Sequence, residues 1–103
     1  MDIFRIIITP QAASDLEGIH AYIAKDSDEN AATTARRILA AIDGLKQVPN
    51  RTIVHRKGKK PRYPIRSLAV RPYIVHFRVL DVDRVVQITH IRHGARRPPT
   101  NLD

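Results

Sequence analysis

From Tyr73 to Val79 the chain alternates, with Tyr73, Val75, Phe77 and Val79 separated by side chains that include His76 and Arg78. Period two is the pattern of a half-buried strand, and such a strand needs a second layer over its apolar face. Asp81-Val82-Asp83-Arg84 reads as a hairpin loop and Val85–Ile91 as the returning strand. Ile65–Val70 precedes them as a third strand, and Pro72 sits at the junction, where a missing N–H does little harm. Val75, Phe77, Val79, Val86 and Ile88 should face the covering layer, joined by Phe4, Ile6 and Ile8 from an N-terminal strand. His90 shares the parity of Val86 and Ile88 and reads as a partly buried, hydrogen-bonded histidine. The opposite face would carry Arg5, His76, Arg78, Gln87 and Thr89. It is either an anion-binding surface or the solvated side of an antiparallel sheet.

The covering layer comes from the first half of the chain. Ile3–Ile8 is a β-branched run that predicts a strand, and Thr9-Pro10 supplies an N-cap followed by a first-turn proline. Ala12, Leu16, Ile19 and Ile23 form one stripe, which predicts a helix over Pro10–Lys25 with Tyr22 beside it. Asp26–Asn30 breaks the pattern, and its acids suit the start of a second helix over Glu29–Gln47. That helix carries Ala31, Ala35, Ile38, Ile42 and Leu45 on its stripe, with Leu39 alongside. Arg51–Pro64 lacks periodicity and reads as a basic loop, in which Thr52-Ile53-Val54 is a short strand or an extended segment. The predicted fold is therefore α+β: a strand, an antiparallel helical hairpin and a three-stranded antiparallel meander, with the helices on one face of the sheet.

The chain has 103 residues, enough for one domain over 1–103, with residues 92–103 as a basic C-terminal tail. Without cysteine it has no disulfide framework and no thiolate chemistry. No signal-peptide pattern or membrane-length apolar run is present, so it reads as a cytoplasmic protein without a membrane partner. The net charge of +8 is unevenly spread. Residues 1–50 carry five Lys/Arg against seven Asp/Glu, whereas residues 51–103 carry thirteen against three. A field of that sign attracts nucleic acid or an acidic protein segment.

No paired carboxylates, nucleophile elbow or phosphate-binding glycine loop occurs, so nothing in the sequence demands an enzyme. RNA cleavage needs little beyond a base, an acid and cations around the phosphate, which keeps His55, His76, His90 and His93 in view as acid–base candidates. Asp81 and Asp83 are explained by the turn. His90 and His93 are three apart without a nearby cysteine or carboxylate, which argues against a metal site.

The opening ITPQAASDLEGIHAYIA, the strand YIVHFRV and the ending ITHIRHGARRP, in this order around two helices, resemble the ParE/RelE superfamily of bacterial toxins. The most specific parts are T-P-x-A-x-x-D-L-x-x-I over Thr9–Ile19, the aromatic strand Tyr73–Val79 and I-x-H-G-x-R-R over Ile91–Arg97. The resemblance implies the toxin of a type II toxin–antitoxin pair, neutralised by a cognate acidic antitoxin. RelE-like members cut messenger RNA on the ribosome and typically place an arginine after the aromatic residue that opens this strand. Here that position is Ile74, and no tyrosine follows Tyr73. ParE-like members instead poison DNA gyrase, and the Tyr73–Val79 strand and the basic ending look more like theirs, with Ala95 interrupting the commoner H-G-R-R. The ParE-like reading assigns Arg92, His93, Arg96, Arg97, Tyr73 and Arg78 to target binding without chemistry. The alternative is a ribonuclease using His90 or His93 as acid or base, with Arg78, Arg92 and the loop lysines Lys57, Lys59 and Lys60 around the phosphate. Neither reading requires a cofactor, a metal or a small-molecule substrate.

Overall fold

The computed structural model describes residues 3–47, 49, 53–55 and 63–95. Its elements run β1 (Arg5–Ile8), α1 (Pro10–Ala24), α2 (Asp28–Gly44), β2 (Ile53–His55), β3 (Ile65–Val70), β4 (Tyr73–Leu80) and β5 (Val85–His93). The α+β class and the single helical layer are as the sequence predicts. The strands form one sheet in the order β1-β5-β4-β3-β2. β1 runs parallel to β5 from Arg5↔Val85 to Ile8↔Ile88, and the other pairs are antiparallel. The meander thus gains β2 on the outer edge of β3, where Ile53 pairs with Ser67 and His55 with Ile65.

Local chemistry fixes both helix starts. The Thr9 hydroxyl accepts the Ala12 N–H at 3.2 Å, and Pro10 occupies the first turn. The Ser27 hydroxyl accepts the Asn30 N–H at 3.0 Å, and Asp28 and Glu29 sit at the positive end of α2. α2 stops at Gly44 rather than at Gln47. A turn follows, and it brings the Lys46 carbonyl to the Phe4 N–H at 2.8 Å.

Ala12, Ile38, Ile42 and Leu45 from the helices pack with Phe4, Tyr73, Val75, Phe77, Val79, Val86, Ile88 and Ile91 from the sheet. Leu16, Ile19 and Ile23 flank this core. Two apolar expectations are corrected. Ile8 does not join the core and is 38% exposed, because β1 is the edge strand and ends there to enter α1. Leu39 lies on the open side of α2 at 42% exposure.

The largest departure is a β-bulge. His76 pairs with His90, but Phe77 pairs with Ile88, so Thr89 is an extra residue in β5. The Thr89 hydroxyl donates to the His76 carbonyl at 3.1 Å and holds the bulge closed. The bulge reverses the alternation of everything after it. Ile91 takes the core face that Val86 and Ile88 use before it, while His90 turns to the opposite face beside His76. The predicted parity of His90 with Val86 and Ile88 is therefore overturned. A second correction follows from the length of β5: Tyr73 pairs with His93 and Ile74 with Arg92, so Arg92 and His93 are strand residues rather than tail.

Past the end of β1, the Ile91 N–H has no strand neighbour on that side. Asp15 of α1 fills the gap, with its Oδ2 accepting that N–H at 2.9 Å while Oδ1 accepts from Gln11 Nε2 at 2.8 Å. Thr9 performs the same service one step earlier, donating its hydroxyl to the Ile88 carbonyl at 2.7 Å. α1 is thus pinned to β5 by polar bonds as well as by packing. We expect Asp15→Ala to lower unfolding stability by about 1–3 kcal/mol, the cost of stranding a buried N–H. Asp15→Asn should cost less because it keeps an acceptor; urea denaturation of both variants measures the difference.

Candidate functional site

The polar residues nominated from sequence gather around the C-terminal end of β5. With the bulge in place, Ser67 on β3, His76 on β4 and His90 and Arg92 on β5 share the face away from the helices. The side chains of Ser67, His76 and Arg92 form a chain of contacts. The Ser67 hydroxyl lies 3.2 Å from His76 Nδ1, and Arg92 Nε donates to His76 Nε2 at 2.9 Å. A guanidinium can only donate, so Nε2 is the acceptor, and the imidazole carries its proton on Nδ1 and gives it to Ser67. His76 is 1% exposed, which overturns the expectation of an uncovered polar surface at that position. Thr89, expected on the same open face, is buried too.

Arg92 also reaches forward. Its Nη1 donates to the carbonyls of His93 at 3.2 Å and Gly94 at 3.5 Å. The guanidinium therefore joins the sheet interior to the backbone that leaves the sheet. His93 points to the other face and meets Tyr73 edge-on, with ring centroids 5.5 Å apart. Its Nδ1 accepts the Ala95 N–H at 3.1 Å. Gly94 donates its N–H to the Pro72 carbonyl at 2.7 Å, and a Cβ there would stand 3.1 Å from that same oxygen. Close approach to the β3–β4 turn is the reason for glycine at this position. Arg37 of α2 holds the turn from its other side, donating to the Arg71 carbonyl at 2.8 Å.

Beside this corner a groove of about 430 Å³ opens between α1 and the sheet, lined by Gly18, Ile19, Tyr22, Tyr73, Arg92 and His93 among others. Tyr22 stands at its rim, 64% exposed.

The other nominated residues are more scattered. Arg78 is half-buried and donates from Nε to the Tyr63 carbonyl at 3.3 Å. His90 Nδ1 is buried with no hydrogen-bond partner among the described residues, contrary to the hydrogen-bonded histidine that parity suggested. His90 and His93 lie on opposite faces of β5, so the strand does not bring them together. Tyr73 is a core residue with its ring against His93. Arg96, Arg97, Lys57, Lys59 and Lys60 lie outside the described residues. Sequence reading missed Ser67 and Asp15, whose roles depend on strand register and helix placement that no local pattern announces.

With this geometry in hand, the chain can be compared with known proteins. Residues 6–98 match the model of the ParE toxin of the type II toxin–antitoxin system, parDE. A protein named Toxin RelE2 from Caulobacter vibrioides is 33% identical over 93 residues, spanning 89% of this chain and 97% of that protein. Among solved structures, the chromosomal ParDE toxin–antitoxin system from P. aeruginosa superposes with a TM-score of 0.67 at 26% identity, over 88% of this chain and 96% of the other. The archaeal RelE–RelB complex from Pyrococcus horikoshii OT3 has the same fold, with a TM-score of 0.64 at 18% identity over 92% and 99%. The chain belongs to the ParE toxin family of type II toxin–antitoxin systems.

Proposed function

We propose that this toxin acts in the ParE manner, by binding DNA gyrase and arresting it on DNA rather than by cutting RNA. The observation that carries this reading is the engagement of His76, Arg92 and His93, three of the groups a ribonuclease could use. A general base must reach a substrate proton, and a phosphate-stabilising arginine must face the phosphate. Here His76 and Arg92 are bonded to each other inside the sheet at 2.9 Å, and His93 Nδ1 is occupied by the Ala95 N–H. Ile74 sits beside Arg92 at the position where the ribonuclease class places an arginine. Binding then falls to the basic segment that begins at Arg92, since arginine suits phosphate and carboxylate recognition. Arg92, His93, Arg96 and Arg97 are the target-binding residues under this reading, with the Tyr73 ring packed against His93.

A cognate acidic antitoxin neutralises the toxin in the cytoplasm under this reading. The family is defined by such a pair, and the similar structures from P. aeruginosa and P. horikoshii are toxin–antitoxin systems. The β1 edge, where Ile3 and Ile7 are exposed, gives a partner strand apolar surface and free backbone to pair with.

Purified protein mixed with gyrase, plasmid and ATP should abolish supercoiling and leave cleaved DNA after protease treatment, while messenger RNA on ribosomes stays intact. Cut messenger RNA with unaffected gyrase would overturn the assignment in favour of the ribonuclease reading. Replacing Arg96 and Arg97 together by alanine should weaken gyrase inhibition roughly tenfold or more, the scale of one lost charge-assisted contact, with the unfolding midpoint unchanged.

A further inference from the structure

We propose that Ser67 and His76 are positioning residues for the basic segment: they orient Arg92, which in turn fixes the path of the chain from His93 to Ala95 as it leaves the sheet. The functional half of this inference rests on the gyrase-binding reading, while the structural half stands without it.

The order of the bonds defines the device. Ser67 takes the Nδ1 proton of His76, which leaves Nε2 as a lone-pair acceptor. Arg92 Nε donates into that lone pair at 2.9 Å, and this sets the plane of the guanidinium. Nη1 then reaches the carbonyls of His93 and Gly94. These three acceptors are neutral, and together they set the plane and the reach of the guanidinium. Lysine in place of Arg92 would lack the planar fork and could not reach backward and forward at once.

The arrangement also demands one protonation state. An imidazolium at His76 would turn an N–H toward Arg92 and set two cations side by side. Among the described residues, this face carries Arg5 from β1, Arg78 from β4 and His90 and Arg92 from β5, with Ser67 facing from β3.

Burial supports the same assignment. A polar ring at 1% exposure must have its nitrogens satisfied or cost stability. Both nitrogens here are spent on orienting Arg92, directly or through the tautomer. Two further bonds hold the segment that Arg92 steadies, the Gly94 N–H to the Pro72 carbonyl and the Ala95 N–H to His93 Nδ1. Their amides report on the clamp.

The test combines amide exchange with nitrogen spectra of the full chain. In the native protein at pH 7.5, His76 should show a protonated Nδ1 and an unprotonated Nε2. His76→Leu should speed exchange at the Gly94 and Ala95 amides about tenfold, while amides from Val79 to Val86 keep their rates. His76→Gln, which offers an oxygen near the Nε2 position, should restore most of the protection. Should His76→Leu fail to fold, Arg92→Lys carries the same exchange test. A protonated Nε2, or Gly94 and Ala95 amides unchanged in the variants, would overturn the proposal, as would uniform acceleration throughout the sheet. In parallel, gyrase inhibition should fall about tenfold in His76→Leu and return in His76→Gln. If the native protein leaves gyrase untouched, the gyrase reading fails while the exchange and nitrogen data still decide the clamp.

Discussion

The extra residue at Thr89 determines which way each later side chain of β5 points, and the site depends on that choice. Without the bulge, simple alternation would carry His90 and Arg92 toward the helices and expel Ile91 from the core. With it, Ile91 fills the core, His90 and Arg92 turn to the face of His76, and His93 meets Tyr73. One hydroxyl bond, from Thr89 to the His76 carbonyl, secures the register at that point. The same backbone carbonyl belongs to the residue whose ring receives Arg92, so the register of the sheet and the aim of the arginine are fixed at one place.

The opening motif serves the same strand from the other side. Thr9 caps α1 and bonds the Ile88 carbonyl, just before the bulge; Asp15 takes the Ile91 N–H, just after it. Ala12 between them is fully buried, which allows α1 to lie close to the sheet. The spacing T-P-x-A-x-x-D therefore brackets the bulge with two polar bonds and one small side chain. Its residues are explained by holding β5 in place, and none of them has to touch a target for the motif to make physical sense.

How legible this was in the sequence follows from which interactions are local. The helix starts were readable because Thr9 and Ser27 act on residues three positions away. The strand faces of β4 were readable because Tyr73, Val75, Phe77 and Val79 keep one parity throughout. β5 was misread beyond Ile88 because a bulge is decided by pairing with β4, and a single inserted residue leaves no mark on composition. The Arg92–His76 bond joins residues sixteen apart and Asp15–Ile91 joins residues seventy-six apart. Neither spacing has a sequence signature, so the sequence marks Asp15 only as part of a motif and gives no sign of its bond to Ile91 or of the place of Ser67 and Arg92 in the sheet.

An arginine that ends a strand is usually free to sweep through many rotamers, and a target must then bear the entropy of stopping it. Arg92 has already been stopped by the fold. Its three bonds order the guanidinium and the next two carbonyls before any partner arrives. Gly94 adds a fourth restraint by lying against Pro72 too closely for any larger residue to sit there without displacing the turn. The turn is itself held by Arg37, so α2, β3, β4 and β5 all converge on the point where the basic segment leaves the sheet. A small domain has few ways to present a charged segment in one direction. This one anchors the root of the segment, from His93 to Gly94, through an arginine that the His76 ring holds in place.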